Sequence, residues 1–131
     1  MGSVIDFDAS LEIGHEQIDK RRREFVGIVN QLNSAVECVL RPEKLMSIFI
    51  ELYKYCDCHC KEEEELMSKI NYPHLNEHKA EHEDFSNTLD EFSLIFCSGD
   101  VSIGKKMLDW LSMWFAIHIS VVDMRLVEYL K

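Results

Sequence analysis

The stretch Cys56-Asp57-Cys58-His59-Cys60-Lys61-Glu62-Glu63-Glu64-Glu65-Leu66-Met67 decides the reading of the chain. Ahead of it the apolar residues fall at Leu45, Phe49, Leu52 and Cys56. The same three-and-four spacing carries on to His59, Glu63, Leu66 and Ile70. That period is a helix with one buried face. An imidazole and a carboxylate therefore lie on a stripe that is otherwise core.

Working outward, the segment from Glu16 presents Ile18, Arg22, Phe25, Val29, Leu32 and Val36 on one face and stops before Arg41-Pro42. The spacing predicts a first helix over about 16–39. Pro42 and Glu43 suit a first helical turn, so a second helix is expected over 42–70, broken by Asn71-Tyr72-Pro73. A third, over 74–96, carries the seam Leu75, His78, His82, Phe85, Leu89, Phe92 and Phe96 and ends at Ser98-Gly99. A fourth is expected over 102–130 and is apolar nearly all round between Trp110 and Val127, which suits a central helix or one facing a partner, such as a second copy.

Residues 1–14 mix Ile5, Phe7 and Leu11 with Asp6, Asp8 and Ser10 without a sustained period and read as an irregular arm. Four long helices with short connectors make an all-α fold, an antiparallel up-down-up-down four-helix bundle, in one domain spanning 1–131. Five glycines and two prolines in 131 residues agree with that and not with many short strands.

A formal charge of -10 argues against nucleic acid or an anionic membrane as partner, since both need clustered cations. The same excess suits a cation. No run reaches the ~20 apolar residues of a membrane span. Five cysteines, an odd number without the spacing of a disulfide framework, read as a reducing, cytoplasmic setting.

His59 and Glu63 are four apart, as are His78 and His82, so each pair projects from one helix face. Singly, either pair arises by chance on a solvated helix. Glu63 is flanked by Glu62, Glu64 and Glu65, most of which must face water. Two histidines at consecutive seam positions, however, both need partners in a low-dielectric interior, and a shared cation provides one. His118 follows Trp114 in the fourth helix, and Asp123 interrupts its apolar run; spacing alone leaves Asp123 undecided. Imidazoles with carboxylates in a helical bundle suit iron or manganese, because structural zinc usually recruits thiolates. Cys56, Cys58 and Cys60 cannot all chelate one ion, since residues two apart on a helix point apart. His15 and His74 read as helix-start histidines.

The chain resembles the bacterial branch of the hemerythrin family. The arm 7–14, Ile18-Asp19, His59-Cys60-Lys61-Glu62-Glu63-Glu64 with Leu66-Met67, Tyr72-Pro73, His78-xxx-His82 and Trp114-xxx-His118-Ile119-xxx-Asp123 carry the likeness. The resemblance implies a non-haem diiron site with Glu63 and Asp123 as bridging carboxylates. It gives His78, His82 and His118 to one iron and His59 plus a first-helix histidine to the other. It further implies dioxygen binding, storage or sensing, by two-electron transfer from a diferrous pair, with no substrate turned over.

The family's D-x-x-H falls here on Asp19-Lys20-Arg21-Arg22, so Arg22 takes the place of the missing histidine. A guanidinium has no lone pair to donate. Iron is expected, two by family and one if Arg22 excludes the second, with Arg22 either bending away or pairing with a carboxylate. Trp114 is expected to wall the metal pocket. The competing functions are a diiron or mononuclear peroxidase- or oxidase-like enzyme acting on peroxide, and a metal-poor interaction bundle.

Overall fold

The computed structural model describes residues 14–38, 40–100, 102–118, 126 and 129. Five helical segments make up four rods: α1 (Glu16–Glu37), α2 (Pro42–Tyr55) running through a wide turn (Cys56–Cys60) into α3 (Lys61–Lys69), α4 (Leu75–Cys97) and α5 (Ile103–Ile117). No strand occurs among the described residues, and the fold is an all-α four-helix bundle. None of the described helices is long and apolar enough to cross a membrane.

Side-chain pairs give the direction of each rod. Arg21 bonds Glu62, Phe25 packs on Tyr55 and Lys44 bonds Gln31, so the second rod descends as α1 rises. Tyr53 bonds Asp90 and Phe49 stacks on Phe96, which makes α4 antiparallel to α2. His82 faces His118 and Phe92 faces Trp110, reversing direction again into α5. The ring closes where Phe25 stacks on Phe115 and Gly104 lies against Leu40 and Val36, a place where an added Cβ would run into Leu40. Around this ring the core is Phe25, Val29, Leu32, Leu45, Ile48, Leu52, Phe85, Leu89, Met107 and Leu111.

The ends are set by local chemistry. His15 Nδ1 accepts from the Ile18 N–H at 3.3 Å and so caps α1. α3 ends with Asn71 at φ 55°, the Tyr72 N–H reaching Met67 O and the Asn71 N–H reaching Ser68 O. This is the crossed pair of bonds that satisfies the last carbonyls of a helix. Gly99, at φ +98°, takes the same left-handed role after α4.

The second rod departs from expectation in one respect. The stripe Cys56, His59, Glu63, Leu66, Ile70 assumes an unbroken α-helix, but Cys56–Cys60 forms a π turn. Its i→i+5 bonding inserts an extra residue and delays the register of everything after it. Met67 is consequently fully buried, whereas Leu66 and Ile70 are half-buried and pack around a second cluster of Ile18, Met67, Tyr72 and Leu126. The fourth helix, expected over 102–130, is described from Ile103 to His118; Asp123 and most of the arm lie outside the described residues.

Candidate metal centre

Glu63, fully buried, is the centre of the cluster. The π turn carries His59, α3 carries Glu63, α4 carries His78 and His82, and His118 follows the last turn of α5. Each is buried, and the four-residue spacing of His59 and Glu63 keeps the two on the inner side together. Oε1 of Glu63 bonds Nε2 of His78 and has Nε2 of His82 at 3.4 Å and Nε2 of His118 at 3.6 Å. Oε2 faces Nε2 of His59 at 3.0 Å. The carboxylate is thus divided, one oxygen toward three imidazoles and the other toward one.

One oxygen has two lone pairs and cannot accept from three N–H groups. Nε2 of His82 makes no hydrogen bond, and Nε2 of His59 and Oε2 of Glu63, although close, are not aligned as one. Such a group of buried nitrogens and oxygens is costly as it stands and is satisfied by a cation among them. Glu63, His78, His82 and His118 each offer a ligand atom, and these atoms lie within 4.8 Å of one another. The residues fit a metal of the imidazole-and-carboxylate type. Burial pushes the Glu63 carboxyl up, but the surrounding imidazoles, His59 first, outweigh it and hold the group well below the usual range. It is ready to bind as the anion.

The surroundings fix the imidazoles. Tyr55 stacks on His59 at 4.8 Å and 17°, and Trp114 stacks on His118 at 4.2 Å and 13°, so the indole walls the cluster on the α5 side. Nδ1 of His82 is 2.8 Å from Glu64 Oε2, and Nδ1 of His118 is 3.7 Å from Glu81 Oε2. Sequence reasoning missed Glu64 and Glu81, because Glu64 sits in a run of four glutamates and Glu81 on a mixed face. An outer carboxylate for each ligating imidazole is the general signal that points to them. A cavity of about 200 Å³, lined by Glu81, Trp110, Met113, Trp114, Ile117 and His118, opens on the outer side of His118.

Arg22 is 0% exposed. Its neighbours on α1 fix its level, since Arg21 bonds Glu62 and Phe25 packs on Tyr55. Arg22, on the inward face between them, stands at the height of His59. The long stem does not carry its head out to water, which removes escape to the surface as a resolution of its charge. Among the cysteines, Cys60 is buried, Cys56 is half-buried and Cys58 is exposed, so the three do not converge on one ion. Bonding to Cys56 and burial push the Cys60 thiol up.

Comparison with known proteins agrees with this arrangement. The profile of the hemerythrin HHE cation binding domain matches residues 14–130. A bacteriohemerythrin of Clostridium acetobutylicum is 30% identical over 122 residues, 89% of this chain and 94% of that protein. One from Ralstonia nicotianae is 24% identical, covering 97% of this chain and 89% of its own length. A hemerythrin-like protein of Naegleria gruberi is 22% identical over 94% of this chain and 91% of its own. With a buried His and Glu cluster contributed by three of its four rods and the domain profile covering most of its length, the chain belongs to the hemerythrin HHE family.

Proposed function

We propose that the protein is a non-haem iron protein that binds dioxygen or peroxide for storage or sensing, through a diiron site altered at Arg22. The observation that carries this is the convergence of His78, His82 and His118 on one oxygen of the buried Glu63. Those three imidazoles and Oε1 would hold one iron. Oε2 and His59 offer a second, poorer position, because Arg22 at the same height brings a fixed positive charge and no lone pair. Two unit charges 4 Å apart repel by about 4 kcal/mol at an effective dielectric near 20. The family bridging role would add Asp123.

When bound, ferrous iron would supply the electrons for oxygen chemistry at this cluster. The chain's own residues exclude bulk water with Phe25, Phe85, Phe115 and the Trp114 indole, and hold the imidazoles by ring stacking. The net charge of -10 and the free cysteines support a reducing, cytoplasmic setting without nucleic acid or membrane as partner.

The test is the optical spectrum of anaerobically iron-loaded protein before and after oxygen. A new oxygen-dependent band without continuing oxygen or peroxide consumption is expected. Sustained consumption of hydrogen peroxide would make the protein a peroxidase- or oxidase-like enzyme instead. A folded protein that takes up no iron would make it an interaction bundle.

A further inference from the structure

We infer that Glu64 is a positioning residue that decides which nitrogen of His82 faces the metal position, and through it how tightly that position binds; the affinity part rests on the iron reading above. Successive residues on a helix point about 100° apart, so Glu63 turns into the core while Glu64 turns toward α4. The two carboxylates therefore bracket a single imidazole. Nδ1 of His82 lies 2.8 Å from Glu64 Oε2, and Nε2 lies 3.4 Å from Glu63 Oε1.

A neutral imidazole has one N–H and one lone pair, and the N–H goes where an acceptor waits. Oε1 of Glu63 is already engaged by His78, whereas Glu64 Oε2 is well placed to accept. Donation from Nδ1 to Glu64 leaves the lone pair on Nε2, facing Glu63 and the other two histidines. Free imidazole side chains favour the opposite form, with the proton on Nε2, which would aim an N–H at the cation. Glu64 reverses that preference at His82. With its side chain 25% exposed, it can be changed without opening the core.

The experiment has two readings. Nitrogen-15 NMR of the histidine rings in metal-free protein, recorded at a pH where the signals show one proton on the His82 ring, is expected to show that proton on Nδ1. In Glu64→Leu it is expected to move largely to Nε2, and in Glu64→Gln, whose amide oxygen still accepts, to stay on Nδ1. Competition for ferrous iron with a colorimetric chelator is expected to show affinity about 10- to 100-fold weaker for Glu64→Leu, with Glu64→Gln recovering most of the loss. A wild-type His82 carrying its proton on Nε2 overturns the inference, as does a folded Glu64→Leu protein that binds iron like wild type. Wild-type protein that binds no iron while His82 carries its proton on Nδ1 sinks the iron reading and leaves the positioning role standing. If Glu64→Leu fails to fold, the wild-type ring spectrum and Glu64→Gln decide.

Discussion

A guanidinium wholly inside the bundle, at the height of His59, is the most consequential single residue in the molecule. A buried cation needs compensating charge or strong hydrogen bonds. On the proposed reading, Arg22 stands in for the charge of a second metal. Arg22→His removes the fixed charge and supplies a lone pair. Iron content is expected to rise from about one to about two per chain, measured by elemental analysis after anaerobic loading; an unchanged content would show that Arg22 does not limit metal binding. The spacing of His59, Glu63, His78 and His82 made those residues legible in the sequence, since polar groups four apart on an apolar stripe are carried into the interior together and must find partners there. Asp123 was legible only by resemblance. Glu64 was hidden because its role depends on which way the next helix lies.

Among the elements, the second rod combines two irregularities that periodicity does not reveal. The π turn at Cys56–Cys60 replaces Leu66 by Met67 at the buried face, because an inserted residue shifts register without changing composition. The α3 terminus rests on Asn71 in the left-handed conformation. Asn71→Gly is expected to leave stability unchanged or slightly higher, and Asn71→Val to lower it by about 1–2 kcal/mol, the cost of that conformation for a branched residue. Urea unfolding of the two variants checks this.

The same rod is tied to α1 by Arg21 and Gln17 on Glu62, and bonding from Arg21 and then Gln17 brings the Glu62 carboxyl down to about 2. Because the folded-state value is depressed, the stabilisation is complete above the ordinary carboxyl range and is lost as pH falls from there toward about 2. The pair is solvent-screened, so Glu62→Gln is expected to cost no more than about 1 kcal/mol at pH 7. The difference in urea midpoint between wild type and variant should shrink at lower pH.

For the molecule as a whole, fold class followed from four amphipathic stretches with short connectors, each of which has a seam that only another helix can cover. What the sequence could not supply was the choice of nitrogens and oxygens at the centre, which depends on how four rods rotate against each other. Iron that binds only the folded bundle must stabilise it. At a free concentration 100 times its dissociation constant the gain is about 2.7 kcal/mol, and a chelator should remove it, lowering the thermal midpoint.

Whether the buried cluster holds iron is decided by the iron content per chain after anaerobic loading and removal of loosely held metal. About one iron is expected in the wild-type protein, and none in Glu63→Ala or His118→Ala that retain helical content. A folded wild-type protein without iron, or an undiminished iron content in those variants, would contradict the assignment of the cluster as a metal centre.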